Sequence, residues 1–538
     1  MSNETTEPPI DEPASMRVIT GVEYRRMSQM KLRIRPKIIR ALVLAVLIVA
    51  QLWLLAWTLW TSSEYSVYVD IALSIISLLA VLHIVKSNTD PSYKLIWSIL
   101  ILLAPVFGGF FYLFFGLQPS SRRLQRRIAS LDAAAKPLMV QDPTALEAVA
   151  SMRADFGRQA RYLTATAGFP VYGASESEYL TSGEAKFERL KAELSKAERF
   201  IFLEYFIIEE GLMWNSVLEI LTAKAALGLE VRVMYDDIGC LLTLPTDYKR
   251  TLEAAGIRCA VFNPASAFPS TLLNHRDHRK IVVVDGRVAF TGGVNLADEY
   301  INKVDKYGHW KDAAVFIAGD AVASLTVMFL NMWNLQTKGH DDYRDFIAPP
   351  RPEPGRGQYV QPYADSPMDY ENVGASVYLN IINSAQVYVY IMTPYLIVDH
   401  TIMTSLCLAA KSGVDVRIIT PRHWDKRYVH MTTRSYYDEL VSAGVKVFEY
   451  VDGFMHAKTF VSDDAVAVVG TTNLDYRSLY LHYECGAVIY GGPAVGAVRE
   501  DFERTLERCD PVAPGEYRPR TMTGRVFLQV LRLFSPLL

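Results

Sequence analysis

Cysteine is scarce in this chain of 538 residues, and its five cysteines lie far apart without any C-x-x-C pair. A disulfide framework and a cysteine-based zinc site are therefore not expected. The chain also lacks an excess of basic charge, because 55 Lys and Arg face 58 Asp and Glu and leave a formal net charge of −3. Proteins that bind nucleic acid usually carry a basic surface, so the composition argues against nucleic acid as the partner.

Long apolar runs, in contrast, are present near the N-terminus. A polar and basic segment over residues 1–37, expected to be disordered, precedes an uncharged run at 41–60 that is long enough to cross the roughly 30 Å of hydrocarbon in a bilayer. Further apolar runs occupy 68–85 and 95–116, and proline and glycine interrupt the last one. We expect a membrane anchor over 38–116, with two spans and a third segment that is either a kinked span or re-entrant.

The basic residues around these runs predict their orientation. They precede residue 41 and return in the RRLQRR segment at 122–127, whereas the loop at 61–67 has none. Because basic flanks stay in the cytoplasm, both the N-terminus and the region after the anchor are expected there. Residues 513–538 form a second apolar region with spaced arginines, which fits either an amphipathic helix on the membrane surface or a helix docked on the protein's own core.

A pattern of five residues occurs twice with the same internal spacing. Each copy has a His, a Lys two residues later, an Asp seven later, a Gly fourteen later and an Asn seventeen later. The first copy consists of His278, Lys280, Asp285, Gly292 and Asn295, and the second of His456, Lys458, Asp463, Gly470 and Asn473. Other residues repeat at similar offsets, since Arg232 matches Arg417 and Gly256 matches Gly444. This agreement predicts an internal duplication.

Strand-like runs alternate with helical runs around both copies, which is typical of an α/β fold. The segment 346–359 is rich in Pro and Gly and is interpreted as a linker. We therefore place one α/β lobe at 150–345 and a second at 360–512. A connector at 117–149 joins the first lobe to the membrane anchor.

The repeated residues suit chemistry at a phosphodiester. His and Lys two apart on an extended strand point to the same side, and a tight turn at the Asp brings the Asn back toward them. Lysine and asparagine side chains can donate hydrogen bonds to phosphate oxygens and stabilise a five-coordinate phosphorus. One histidine can attack phosphorus as a nucleophile while the other protonates the leaving alcohol. One active site would thus use both copies and needs no metal or cofactor.

Both copies resemble the signature H-x-K-x(4)-D-x(6)-G-x-x-N of the phospholipase D superfamily. Segments 274–300 and 470–484 look like the two motifs of bacterial cardiolipin synthases, and the apolar N-terminal region ending in YLFFG fits as well. The resemblance implies two mixed-sheet lobes that meet at one site, in a multi-pass protein of the bacterial cell membrane. It also implies a transfer through a phosphohistidine, in which two phosphatidylglycerol molecules give cardiolipin and glycerol.

The same resemblance assigns roles to individual residues. The catalytic positions that it implies are His278, Lys280, Asp285, His456, Lys458 and Asp463. Asn295 and Asn473 are expected to bind phosphate. Asp285 and Asp463 are expected to hold the lobes or the lysines rather than the substrate. The pattern does not show which histidine attacks phosphorus, and by analogy we favour His278 over His456 as the nucleophile.

The superfamily also orients each histidine with an acid further along the chain. Glu484, 28 residues after His456, fits this role. In the first copy the same offset falls on Lys306, which is not an acid, and the nearby candidate is Asp312, with Glu299 behind it. Each acid is thus expected to serve the histidine of its own copy.

Three other functions compete with this interpretation. A membrane hydrolase of the same superfamily would use the same residues with water as the acceptor and release phosphatidic acid. A synthase that uses a nucleotide-activated lipid would show D-G-x-x-A-R-x(8)-G-x(3)-D-x(3)-D, which the chain lacks. A catalytically inactive scaffold is disfavoured because both motifs are complete. Only the acceptor separates the synthase from the hydrolase.

Overall fold

A computed structural model describes residues 46, 49, 53, 64–87, 90–103, 112, 122–264, 275–349, 357–369 and 371–537. The helices before the first sheet are α1 (Glu64–Lys86), α2 (Pro91–Leu103), α3 (Arg122–Ala135), α4 (Pro143–Met152) and α5 (Ala154–Ala165), with a 3-10 turn at Lys136–Leu138. The apolar run at 68–85 lies within α1, and α2 contains the start of the run at 95–116. The run at 41–60 falls outside the described residues, apart from three isolated positions. Within the described ranges, no helix is both long and apolar enough to cross a bilayer.

The first lobe is built around one mixed sheet. Its elements are β1 (Ser175–Leu180), α6 (Gly183–Ser195), β2 (Phe200–Tyr205), α7 (Leu212–Ala226), β3 (Glu230–Asp236), α8 (Tyr248–Ala254), β4 (Arg258–Phe262), β5 (Arg276–Asp277), β6 (Ile281–Val284), β7 (Val288–Gly292), a 3-10 turn (Asp298–Ile301), β8 (His309–Lys311), β9 (Ala314–Gly319), α9 (Val322–Thr337) and a 3-10 turn (Tyr343–Asp345). The strand order is β1-β9-β7-β6-β2-β3-β4. Strands β2, β3 and β4 are parallel to one another, and the other neighbours are antiparallel.

The second lobe repeats this arrangement. Its elements are β10 (Tyr359–Asp365), α10 (Val373–Ser384), β11 (Tyr388–Met392), β12 (Leu396–Ile397), α11 (His400–Lys411), β13 (Asp415–Pro421), α12 (Arg427–Ser442), β14 (Lys446–Tyr450), β15 (Gly453–Met455), β16 (Thr459–Ser462), β17 (Val466–Gly470), β18 (Leu474–Asp475), α13 (Tyr476–Tyr480), β19 (His482–Tyr490), α14 (Pro493–Leu506), β20 (Cys509–Pro511), α15 (Met522–Leu533) and a 3-10 turn (Ser535–Leu537). The order β10-β19-β17-β16-β11-β13-β14 matches the first sheet strand for strand, and β20 extends its edge. The α/β duplication expected from the sequence is confirmed.

Strand β2 shows how alternate residues of one strand pack into two different hydrophobic cores, one on each face of the first sheet. All six of its residues (FIFLEY) are buried, as expected for a strand covered on both faces. Phe200 and Phe202 contribute to a central core between the two sheets, which also contains α9 and α14. Ile201 and Leu203 contribute to an outer core under α6 and α7. Because alternate residues of a strand face opposite sides, one sheet joins two cores.

The lobes are also joined by short parallel strand pairs. In one pair, β5 of the first lobe lies beside the start of β19, with Arg276 opposite His482 and Asp277 opposite Tyr483. In the other, β15 of the second lobe lies beside β8. Each HxK motif begins directly after one of these pairs, so the contact between lobes positions both motifs.

One boundary differs from the sequence prediction. Residues 150–165 were assigned to the first lobe, but Phe156, Ala160 and Leu163 pack in the outer core of the second lobe. Their apolar faces complete the layer beside α10. Residues 350–356, in the middle of the predicted linker at 346–359, lie outside the described residues.

The C-terminal segment docks on the protein itself, which was one of the two alternatives predicted for it. Helix α15 packs against α12, where Arg532 forms an ion pair of 2.5 Å with Glu439. The following turn contacts α1 and α2, since Leu533, Phe534 and Leu537 pack on the cluster that contains Trp97. The helix nevertheless leaves Met522, Val526, Phe527 and Val530 exposed. It is docked on the protein and still presents an apolar face.

Candidate active site

The two motif histidines are held by main-chain hydrogen bonds from the opposite lobe. The N–H of His278 donates to Tyr483 O (2.9 Å), and the N–H of His456 donates to Lys311 O (2.7 Å). Tyr483 lies in β19 and Lys311 in β8, the strands that pair with β5 and β15. Each histidine therefore sits where its own lobe meets the other one.

The acids that contact the histidines correct the sequence prediction. His278 Nδ1 lies 2.9 and 3.0 Å from the two carboxylate oxygens of Glu484. His456 Nδ1 lies 2.6 Å from Asp312 Oδ2. Each acid thus serves the histidine of the other copy, because Glu484 and Asp312 come directly after the residues that hold the opposite histidines. The same carboxylates were expected, but with the partners exchanged.

The remaining acid of the first copy, Glu299, does not reach a histidine. Its Oε1 lies 2.9 Å from Lys306 Nζ. The offset of 28 residues that fits Glu484 fails in the first lobe because the chain takes a longer path there, through the 3-10 turn at Asp298–Ile301 and the loop before β8. Asp312 is reached only after this detour.

The motif lysines lie next to the histidines and are almost fully buried. Lys280 Nζ donates to His278 O (2.5 Å), and Lys458 Nζ donates to His456 O. Lys458 Nζ is also 2.9 Å from His456 Nδ1. Lys280 and Lys458 are 0% and 2% exposed, and the carboxylates of Glu484 and Asp312 attract both ammonium groups. Charged hydrogen bonds from such groups are strong because water is excluded.

The two motif asparagines are buried as well. Asn295 Nδ2 donates to Tyr300 OH (2.7 Å), and its Oδ1 accepts from the backbone N–H of Ile207 (3.1 Å). Asn473 Nδ2 donates to Asp475 Oδ2 (3.2 Å). Each carboxamide has one further N–H, which leaves a donor for an incoming phosphate.

Asp285 and Asp463 have a different task from the one expected. Asp285 accepts hydrogen bonds of 2.8 to 2.9 Å from three consecutive backbone N–H groups, those of residues 198–200. Asp463 accepts in the same way from residues 386–388, at 2.9 to 3.0 Å. Both aspartates hold the start of the adjacent strand of their own lobe, whereas they were expected to hold the lobes together or to hold the lysines.

The turns that follow the motifs explain why these positions carry Asp. Asp285 and Gly286 have φ of 56° and 69°, and Asp463 and Asp464 both have φ of 54°. Two successive positive φ values are typical of the turn that joins two antiparallel strands tightly, and Asp tolerates this region better than most residues. The turn places the carboxylate over the amides of the neighbouring strand.

A glycine beside the first motif leaves room for the acid. A Cβ added at Gly293 would lie 2.1 Å from Asp312 Oδ1, so only glycine fits beside this carboxylate. The corresponding residue of the second copy is Thr471, whose hydroxyl donates to Glu484. The two copies therefore hold their acids by different means.

Burial governs the protonation of the site. Burial, together with the neighbouring lysines, lowers the pKa of His278 well below its usual value and that of His456 to about 4. Burial also lowers the pKa of Lys280 to about 8 and that of Lys458 to about 7. Both histidines are consequently neutral at pH 7 and carry a free lone pair. An anionic phosphate would favour the charged form of the lysines.

Asp312 stays ionised although it is fully buried. Burial alone would raise its pKa, but the attraction of His456 and Lys458 outweighs that effect and the pKa lies below its usual value. An ionised Asp312 accepts the Nδ1–H of His456. The Nε2 atom of that ring then carries the lone pair.

Sequence reasoning missed three residues around the histidines. Phe206 packs its ring edge-on against His278 at 4.9 Å between centroids, and Thr471 supports Glu484. His482 lies beside His278 and Glu484, with its ring centroid 5.7 Å from that of His278 and its Nδ1 3.7 Å from Glu484 Oε1. The signal for His482 was available, because residues two apart on a strand share a face and Glu484 is two residues further along.

The fold and the paired site together define a member of the phospholipase D superfamily, in which two similar lobes build one site. The chain matches the family model described as "Cardiolipin synthase, PLD-like domain" over residues 190–333 and 378–506. Residues 75–116 match the model described as "Phospholipase_D-nuclease N-terminal". The two matched parts of the first model correspond to the two lobes.

Individual relatives agree with this assignment. The chain is 36% identical to the cardiolipin synthase of Geobacillus kaustophilus, over 84% of this chain and 90% of that protein. It is 33% identical to the cardiolipin synthase of Alkalihalophilus pseudofirmus, over 95% and 100% of the two chains. The crystal structure of phosphatidylserine synthase from Haemophilus influenzae shares the fold, with a TM-score of 0.55 and 15% identity over 71% of this chain and all of that one. The chain belongs to the cardiolipin synthase family.

Proposed function

We propose that the protein is a cardiolipin synthase that joins two phosphatidylglycerol molecules and releases glycerol. The observation that carries this proposal is the pair of histidines, each with Nδ1 on a carboxylate of the other lobe. The family membership of the chain supports the same reaction. The product and the acceptor are what the experiment below tests.

The first half of the reaction forms a bond between His278 and phosphorus. With Nδ1–H donated to Glu484, the Nε2 lone pair of His278 attacks the phosphorus of the first phosphatidylglycerol. When the anionic phosphate of the lipid is bound, its charge favours the imidazolium form of His456, which carries a second proton on Nε2. His456 gives this Nε2 proton to the departing glycerol oxygen, and the bond between phosphorus and that oxygen breaks. The products are glycerol and a phosphatidyl-histidine.

The second half reverses these roles with a new alcohol. His456 takes the proton from a glycerol hydroxyl of the second phosphatidylglycerol, and the oxygen attacks phosphorus. The bond to His278 breaks and cardiolipin leaves. One phosphodiester of a primary alcohol replaces another, so the free-energy change is close to zero and no nucleotide is consumed. Lys280, Lys458 and the two asparagines stabilise the charge on the phosphate oxygens in both halves.

Water must be kept from acting as the acceptor of the phosphatidyl group. The exposed apolar surface of the protein explains why a lipid hydroxyl is preferred over water. Helix α1 exposes Ile75, Ile76, Leu79 and Leu82, each more than half exposed. Helix α15, which exposes its own apolar face, is connected to α1 and α2 because the C-terminal residues that follow it pack on the cluster that these two helices form. We place this combined surface in the bacterial cell membrane, with the lobes on the cytoplasmic side, so that the site opens where lipid alcohols are concentrated.

A product analysis tests the proposal. Purified full-length protein in mixed micelles of detergent and phosphatidylglycerol, with EDTA present, should form cardiolipin and free glycerol in equal amounts. His278→Ala and His456→Ala should each lose both products, whereas His340→Ala, at an exposed histidine, should keep them. Phosphatidic acid as the main product would make the protein a hydrolase and contradict the proposal.

A further inference from the structure

One histidine beside the active site has no task in the proposed reaction. The side chain of His482 is 11% exposed. Neither of its ring nitrogens has a hydrogen-bond partner among the described residues. Nδ1 lies 3.7 Å from Glu484 Oε1, which is beyond hydrogen-bond distance. A buried polar group without a partner is unusual, because its loss of hydration is not offset.

The surroundings of His482 supply further metal-binding atoms. His278, His482 and Glu484 each have a nitrogen or carboxylate oxygen within 4.8 Å of those of the other two. Two imidazoles and one carboxylate are the ligand set of many zinc sites that keep an open fourth position. Donor atoms around a tetrahedral zinc lie about 3.4 Å apart, given bond lengths near 2.1 Å. The donor atoms lie up to 4.8 Å apart, so a bound ion would have to draw the three groups together.

We propose that His278, His482 and Glu484 form a Zn²⁺ site that holds the protein in an inactive state. A bound zinc ion would take a ring lone pair of His278 and draw Glu484 away from its hydrogen bond with that ring. The histidine could then neither attack phosphorus nor keep its orientation. The metal would be an inhibitor here and not a participant in the transfer.

The neighbouring charges set the strength of this site. Lys280 and Lys458 lie next to the histidines, and their ammonium groups would repel a dication. We therefore expect zinc to bind less tightly than in a structural site with four protein ligands. An anionic lipid in the site would compete, since it pairs with the same lysines and needs the same ring of His278.

Metal binding can be measured apart from activity, although the inhibitory effect rests on the proposed function. Metal-free full-length protein in detergent is titrated with Co²⁺, whose visible absorption is intense when the ion is tetrahedral, and the cobalt is then displaced with Zn²⁺. One ion should bind per chain. His482→Asn and His278→Ala should each weaken binding more than about 100-fold, because the loss of a group outside the coordination sphere already costs 10- to 100-fold. The matched control His340→Asn should bind like the wild type.

Activity gives the second readout. Zinc should stop cardiolipin formation by the wild type, and EDTA should restore it. His482→Asn should be active without zinc and should stay active when zinc is added, with thermal unfolding like that of the wild type. If the His482→Asn protein does not fold, binding by His278→Ala decides instead. Cobalt binding that both variants leave unchanged, or equal inhibition of wild type and His482→Asn, would overturn the proposal.

Discussion

In the first lobe the acid that serves the active site is Asp312, and in the second it is Glu484. Both occupy the same place in the fold, two residues before the partner of the motif glycine in the strand ladder (Gly292 opposite Ala314, Gly470 opposite Gly486). Asp312 is held by the backbone N–H of Ala313 (2.8 Å) and needs a glycine beside it. Glu484 is held by the hydroxyl of Thr471.

This difference teaches how a duplicated fold can build one asymmetric site. The two lobes contribute the same kinds of groups, but each lobe holds the histidine of the other. A lobe alone would have a histidine without its acid. The residues around the two acids differ between the copies. These differences allow the two histidines to take different roles, one as the nucleophile and the other in proton transfer.

The largest expected effect is the loss of activity when either motif histidine is replaced, and an activated substrate should distinguish the roles of the two histidines. His278→Ala and His456→Ala should each reduce cardiolipin formation by more than about 10³-fold. A phosphatidyl ester of p-nitrophenol has a leaving group that needs no proton. With this substrate, His456→Ala should recover a burst of p-nitrophenol and His278→Ala should not. A burst with His278→Ala instead would reverse the two assignments.

The exchanged acids come next. Glu484→Gln and Asp312→Asn should each lower turnover of phosphatidylglycerol by about 10² to 10⁴-fold, because a histidine in the wrong tautomer loses its free Nε2. Glu484→Gln should also reduce the p-nitrophenol burst, whereas Asp312→Asn should largely spare it. Glu299→Gln is the matched control and should remain active. If Asp312→Asn reduced the p-nitrophenol burst and Glu484→Gln spared it, each acid would serve the histidine of its own copy, and the exchange would be contradicted.

The motif aspartates should affect stability in both lobes and chemistry in neither. Asp285→Asn and Asp463→Asn remove the charge that accepts three backbone N–H groups, and each should lower the free energy of unfolding by about 1 to 3 kcal/mol. Asn still tolerates the positive φ of the turn. Denaturation curves measure the loss. A fall in turnover by the folded variants as large as that of the histidine variants would place these residues in the chemistry.

The smallest expected effect is a change in the free energy of unfolding of on the order of 1 kcal/mol per pH unit, at a position where the two sheets differ. Asp365 lies opposite Glu484 at the end of β10, whereas β1 of the first sheet ends at Leu180, opposite Ala314, and has no paired residue opposite Asp312. Burial raises the pKa of Asp365 to about 8. The folded state therefore keeps a proton that the unfolded chain releases near pH 4, and stability should fall as pH rises from about 4 to about 8. In the wild type this loss of stability amounts to on the order of 1 kcal/mol per pH unit, and Asp365→Asn should abolish it.

The measurement for Asp365 is the free energy of unfolding of both proteins at several pH values. The difference between variant and wild type should grow with pH. Leu180→Val, a change at the end of the corresponding strand β1, is the control and should lower the free energy of unfolding by the same amount at all pH values. A difference that does not depend on pH would show that Asp365 is ionised in the folded protein.

The fold was largely predictable because the evidence for it is local. Alternating strands and helices predicted an α/β chain, and the spacing from His278 to Asn295 and from His456 to Asn473 predicted the duplication. The motif residues themselves could be named, since their spacing repeats. The exchange of Asp312 and Glu484 could not be predicted, because it depends on strand pairs between lobes that no local pattern records.

The role of the motif aspartates was missed for a similar reason. Asp285 reaches amides at residues 198–200, far away in sequence, and only the sheet register brings them together. The sequence could place His482 on the same strand face as Glu484, but it could not show that the ring nitrogens have no hydrogen-bond partner among the described residues. The assignment of residues 150–165 failed because apolar helices fit either lobe until the packing is known.

The central claim is that two lobes build one site with unlike histidines, and trapping the covalent intermediate tests it most directly. Wild-type protein is mixed with phosphatidylglycerol that is labelled in its phosphate, quenched rapidly in base, digested and analysed by mass spectrometry for phosphatidyl-histidine. The label should lie on His278 alone and should disappear in His278→Ala and in Glu484→Gln. Label on both histidines would contradict the division of labour between the two lobes.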